Sequence, residues 1–202
     1  MKILLTLLLS LISFSFNQEP INYETALIER DGVYHAKATN KPYSGMVFSI
    51  YDDGKIKNEG TLKDGKMISR TEWKWYENGQ KWSELNYKDG KIDGIFNWWY
   101  DNGQKQFEGT YKNGLKDGLN TSWYENGQMS FESNYTNHLR DGAWTSWYEN
   151  GQKNSEGNYK VGKFDGSEMF WHKNGQKYRE SKFEGGKLIS EKQWNEDGSV
   201  KD

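Results

Sequence analysis

Six glutamates stand in register along the chain. Glu59, Glu84, Glu108, Glu132, Glu156 and Glu180 recur at an almost constant interval. Carboxylates in such a row could ladder around a cation or receive a basic partner. Their expected role is structural: each accepts a hydrogen bond from an indole or backbone N–H of the neighbouring unit. Regularly spaced acids without clustered His or Asp do not resemble a metal site. His35, His138 and His172 lie far apart, and the latter two replace a turn glycine and a tyrosine of the repeat described below. There is no cysteine, hence no disulfide, thiolate metal site or cysteine nucleophile. The chain carries no nucleophile elbow, zinc-type histidine pair or phosphate loop. A catalytic site needs singular residues, and nearly every polar residue here has counterparts elsewhere in the chain. The expectation is a protein that is not an enzyme and takes no cofactor or metal.

The elements that position these residues follow from composition and periodicity. Apolar residues make up 34% of the 202 residues, below the roughly 45–50% of a typical soluble domain. From Asn17 onward there are 19 Ile, Leu and Val against 30 Phe, Trp and Tyr. That ratio excludes a Leu-rich helical bundle, disfavours a parallel α/β sheet and is too aromatic for disorder. An all-β array with rings as its buried area remains. The formal net charge of −2 offers no basic excess for a phosphate backbone, so nucleic acid is not an expected partner. Met1-Lys2 followed by the apolar run Ile3–Phe16 reads as a secretion signal, too short to span a bilayer. The expected organisation is a signal peptide over 1–16, an N-terminal cap with a β-hairpin over 17–44, and tandem repeats over 45–202. The last stretch would hold about six full units and a truncated one. The exported chain is then periplasmic or extracellular.

Internal repeats dominate the sequence. Trp-Tyr-Glu-Asn-Gly-Gln occurs at 75–80, 123–128 and 147–152, with variants at 99–104 and 171–176. Aligned on this string, Trp75, Trp99, Trp123, Trp147 and Trp171 form one column, and Tyr76, Tyr100, Tyr124 and Tyr148 the next. The dipeptides Asn78-Gly79, Asn102-Gly103, Asn126-Gly127, Asn150-Gly151 and Asn174-Gly175 mark a turn in every unit. Asn-Gly between aromatic runs predicts a tight two-residue hairpin turn with positive φ at both positions. The next connection, such as Lys88-Asp89-Gly90-Lys91, predicts a wider turn. Each unit is therefore strand, turn, strand, loop. The chain becomes an antiparallel meander of hairpins of about 24 residues each, a repeat length typical of stacked arrays. Its form is either an open twisted sheet or a β-solenoid. Little predicts a helix. One hairpin cannot bury its rings alone, so the Trp column is expected to form the structural core by stacking from unit to unit. In such a nearest-neighbour array, Trp123→Ala in the middle should lower the melting temperature more than Trp194→Ala at the end.

The pattern Gly-x4-Trp-Tyr-x-Asn-Gly-Gln-x3-Glu-x2-Tyr-x2-Gly-x2-Asp-Gly resembles the MORN-repeat variant of bacterial proteins, over roughly residues 45–199. Many of its members are described as antitoxin-like proteins of the YwqK type. The resemblance implies a row of β-hairpins in an elongated sheet, protein–protein contact and, for the antitoxin-like members, capture of a partner toxin.

Alternation places the Tyr column on the face opposite the Trp column. Tyr76, Tyr100, Tyr124 and Tyr148 are thus the candidate partner-binding stripe, the alternative being that they pack within the sheet. The expected function is a secreted protein-interaction scaffold with a protein partner. The alternatives are an aromatic module for carbohydrate or cell wall and a protein associated with a membrane surface.

Overall fold

The computed structural model describes residues 18–201. The expected signal peptide, 1–16, lies outside the described residues. In chain order the first strands are β1 (Ile21–Asn22), β2 (Leu27–Arg30), β3 (Val33–Ala36), β4 (Gly45–Ile50) and β5 (Ile56–Lys63). Next come β6 (Lys66–Trp75), β7 (Lys81–Lys88), β8 (Lys91–Trp99), β9 (Lys105–Lys112), β10 (Leu115–Trp123) and β11 (Met129–Thr136). The last are β12 (Leu139–Trp147), β13 (Lys153–Lys160), β14 (Lys163–Phe164), β15 (Gly166–Trp171), β16 (Lys177–Glu184) and β17 (Lys187–Gln193).

From β4 onward each strand pairs antiparallel with the next, and β14 and β15 both pair with β13. β1 joins the other side of β4 in parallel, giving one sheet of 15 strands whose two ends do not meet. Of the two expected forms, the open sheet is the one adopted. β2 and β3 form a separate hairpin around Asp31-Gly32. One helical turn, α1 (Tyr23–Ala26), departs from the all-β expectation. Asn22 caps it by accepting the Glu24 N–H at 3.0 Å.

The two kinds of turn are the reverse of the expectation. The Lys-Asp-Gly-Lys connections are the two-residue primed turns, with Lys88 facing Lys91 and φ of 48° and 76° at Asp89 and Gly90. The Asn-Gly turns have three-residue loops. Tyr124 donates its N–H to Gln128 C=O at 2.8 Å, and Gly127 donates to Tyr124 C=O at 2.9 Å. Only Gly127, at +85°, enters the left-handed region, as in a turn closed by a glycine bulge. The Asp53-Gly54 and Asp197-Gly198 turns close in the same way, so the support common to all of them is the side-chain oxygen of the asparagine or aspartate. This Oδ1 accepts the N–H two residues on, as Asn78 does from Gln80 at 2.9 Å. The asparagine Nδ2 donates to the following turn, Asn78 to Asp101 C=O at 2.6 Å and Asn126 to Glu149 C=O at 2.9 Å. The three-residue loop lets one amide serve its own turn and its neighbour.

The opposite edge is tied by a different device. Asp93, Asp141 and Asp165 accept the backbone N–H of Asn113, Val161 and Gly185 in the following turn, at 3.0, 3.2 and 3.3 Å. These three aspartates, each just before a glycine, are thus clasps between hairpins.

The interior is not where the Trp column runs. Trp75, Trp99, Trp123, Trp147 and Trp171 are all half-buried, and no aromatic pair among the described residues joins two of them. The aliphatic core sits at the N-terminal end, where Leu27, Tyr43, Val47 and Leu62 are buried against Ile21, Tyr34 and Met67. Further along, rings pack on the same face as this core, opposite the Trp column. Phe96 meets Trp98, Phe107 and Tyr111, and Trp144 meets Phe131, Tyr159 and Phe164. Small residues make room for them. Phe96 and Asn120 both lie opposite Gly109, and Trp144 lies between Ser133 and Gly157. A single-layer sheet buries a large ring by laying it over a neighbouring strand that lacks a side chain there.

Candidate interaction surface

Register assigns the two faces. Trp73, Glu84, Asn97, Glu108, Thr121, Glu132, Thr145, Glu156, Met169 and Glu180 lie side by side across ten strands. The Trp column shares this face. Between successive indoles stands a lysine, the residue after Asn-Gly-Gln. Lys81 lies 5.3 Å from the Trp99 ring centroid, Lys105 5.7 Å from Trp123, Lys153 5.7 Å from Trp171 and Lys177 5.4 Å from Trp194. The same lysines pair with the glutamate three residues on, at 2.8 Å for both Lys81–Glu84 and Lys177–Glu180. The Glu column is therefore satisfied chiefly by lysine rather than by indole, although Trp73 does donate Nε1–H to Glu84 at 2.9 Å. Reading the sequence for aromatics overlooked this lysine column, although its Gln-Lys signal recurs at 80–81, 104–105, 152–153 and 176–177.

The tyrosine stripe is not a free surface. Tyr76, Tyr100, Tyr124 and Tyr148 are half-buried, and each hydroxyl donates to a main-chain carbonyl of the next repeat. The acceptors are Trp99, Trp123, Trp147 and Trp171, at 2.8, 2.9, 2.8 and 2.8 Å. These residues are ties between hairpins, because the ring spans the distance to the neighbouring strand pair. Tyr124→Phe removes one tie and leaves a carbonyl short of its partner. The expected loss is about 1 kcal/mol of stability, measured by denaturant melts with no change in the sheet signature of circular dichroism.

Two glutamates lack the lysine, because Ile56 and Met129 stand three residues before Glu59 and Glu132. Burial raises the Glu59 carboxyl above the usual range. For Glu84, burial acts in the same direction, but hydrogen bonds from Lys81 and Trp73 outweigh it and hold the group below that range. The linkage signs are opposite. Glu59 contributes stability while protonated and loses it as pH rises through its folded pKa. Glu84 contributes above its unfolded pKa, about 4.3, and loses that contribution as pH falls through the folded one. Thermal melts at pH 7 should show Glu59→Gln raising the melting temperature and Glu84→Gln lowering it, with both differences shrinking at pH 3.

No group of three or more His, Asp or Glu side chains among the described residues is placed to hold a metal ion. A shallow recess lined by Gly54, Lys55, Ile56, Trp73, Trp75 and Lys81 opens on the lysine face. Its lining holds neither a carboxylate nor an imidazole. His35 lies in β3, His138 in the turn before β12 and His172 just after β15, so no two share a hairpin. The exposed apolar residues Ile95 and Leu119 continue the lysine face, and Met129 lies opposite Trp123 upon it.

The profile of the MORN repeat variant matches four tandem segments, residues 71–89, 92–113, 116–137 and 140–160. No curated protein matches the chain. Among solved structures the chain is similar to a protein of unknown function from Bacteroides fragilis NCTC 9343. That match has 9% identity over 78% of this chain and 87% of the other, with a TM-score of 0.16. The four matched segments coincide with successive hairpins that each carry the tyrosine and asparagine ties, and residues 71–160 are thus a tandem array of the MORN repeat variant.

Proposed function

We propose that this protein is a non-enzymatic interaction scaffold that presents the lysine–tryptophan–glutamate face of its sheet to a protein partner. One observation carries the reading. The chain's own ties occupy the two hairpin edges, while this face keeps apolar side chains in the open at Ile95 (47% exposed), Leu119 (43%) and Met129 (39%). Exposed aliphatic residues rimmed by charges suit a protein contact. Repetition lets several weak contacts add by avidity. A glycan would need free indole faces for stacking, and in four repeats a lysine already lies over the ring. We place this activity outside the cytoplasm, after removal of residues 1–16, with capture of a toxin-like protein as its antitoxin-like form.

The test uses the protein recovered from its native compartment after cross-linking. A cross-linked protein partner should be lost from the double variant Ile95→Asp/Leu119→Asp while the melting temperature stays within a few degrees. Undiminished cross-linking by that variant, or retention on glycan beads without any protein partner, would overturn the reading. Intact mass of the exported form checks the leader, since a retained Met1 would refute cleavage.

A further inference from the structure

One of the Asn-Gly hairpins departs from the lysine rule. In four others the lysine after the Asn-Gly turn serves two neighbours, the glutamate three residues on and the indole of the next repeat. The hairpin of β10 and β11 carries Met129 at that place, opposite Trp123. Among the described residues no lysine or arginine pairs with Glu132 or stands over Trp147. Both are half-buried on the open face, and Met129 between them is 39% exposed. A thioether supplies no charge, so a carboxylate and an indole face are left beside an apolar seat.

We propose that a protein partner supplies the missing cation. A lysine or arginine side chain docks on this hairpin, ion-pairs with Glu132 and lies over Trp147, with its methylene stem on Met129. The chain's own repeats show that the geometry works, since a lysine makes the same pair of contacts four times. Cation–π attraction and a charge-assisted hydrogen bond act together on one head group. The stem of a long basic side chain packs well on a flexible methionine. Leu119, exposed on the same face, lies two side-chain positions along β10 from Trp123.

This inference rests on the scaffold reading, but its test does not require the natural partner. The probe is Nα-acetyl-arginine N-methylamide, with the uncharged citrulline analogue as control, titrated into the 15N-labelled protein. The indole N–H resonance of Trp147, assigned through Trp147→Phe, should shift saturably with the arginine probe and not with citrulline. The other column indoles should move far less. Met129→Lys, which installs the chain's own cation, should abolish the shift while keeping or raising the melting temperature. Glu132→Gln should weaken binding several-fold. Uniform shifts across all column indoles, an equal response to citrulline, or persistence of the shift in Met129→Lys would each overturn the proposal. If Met129→Lys still cross-links the natural partner, the contact lies elsewhere and this seat is refuted while the scaffold reading stands. If the probe binds as expected but no protein is ever engaged, the scaffold reading and the protein source of the cation fail, while the seat itself stands.

Discussion

Trp144→Ala lowers the stability of the array by about 3–5 kcal/mol, more than the same change at any member of the Trp column. Trp144 is 8% exposed, and its ring lies 6.3 Å from those of Phe131, Tyr159 and Phe164. It covers Ser133 and Gly157, the cross-strand residues on either side. Neither can fill the space an alanine would leave, so the cavity term adds to the lost transfer free energy. A Cβ placed on Gly157 would come within 2.7 Å of the Trp144 indole nitrogen, which shows how closely ring and backbone approach. Trp99 offers the contrast. It is half-buried, with the Lys81 ammonium 5.3 Å from its ring centroid, so Trp99→Ala costs about 1–2 kcal/mol. Trp144→Phe separates packing from polarity. The indole N–H of Trp144 has no protein partner, and phenylalanine retains most of the ring contact. Its cost should be less than half that of alanine. Denaturant melts of the three variants test this, and equal losses for Trp144→Ala and Trp99→Ala would show that burial does not rank these rings.

Leu62→Ala should cost about 2–5 kcal/mol and act at the other end of the molecule. Leu62 is fully buried and packs with Leu27, Tyr43 and Val47. It stands one residue before the end of β5, which leads into the Asp64-Gly65 turn. That turn holds the separate N-terminal hairpin through Tyr34 N–H to Gly65 C=O and the segment before β4 through Gly65 N–H to Tyr43 C=O, both at 2.8 Å. Removing the leucine therefore loosens the cap as well as the first repeat. Because each hairpin of the array contacts only its neighbours, the damage should stay local. Hydrogen exchange should quicken over residues 27–62 and remain unchanged over 140–183. Uniform acceleration along the whole sheet would instead mean that the molecule unfolds as one unit.

Much of this architecture was legible in the sequence. The constant repeat period, the Asn-Gly turns and the alternation of aromatic and polar residues specify consecutive antiparallel strands, because each is a local property of one hairpin. The errors share a cause. The asparagine of the Asn-Gly turn has a second role, because Asn78 also bonds the turn of the next unit, and no single hairpin contains that partner. Tyr100 faces away from Trp99 by alternation, which predicts exposure. Its hydroxyl is nevertheless consumed by the carbonyl of Trp123, which belongs to the next hairpin. The Trp column drew attention by its regularity, whereas Trp144, the tryptophan that is buried, occupies a column filled elsewhere by Phe96, Asn120 and Glu168. Its burial depends on Ser133 and Gly157 in adjacent strands, and small residues carry little signal until the register is known.

The sequence by itself determined an all-β repeat of hairpins in which aromatics outnumber branched aliphatics. Local turn chemistry and periodicity are sufficient for that, since they act within a single repeat. Only the tertiary structure decided that the sheet stays open, that the tyrosines, asparagines and aspartates tie successive hairpins, and that a lysine separates successive indoles. Those outcomes depend on which side chains meet across unit boundaries, a relation set by strand register and by the geometry of the turns. The same relation singles out Met129. In the sequence it is one substitution among many. In the sheet it is the place where a carboxylate and an indole face stand beside a side chain without charge.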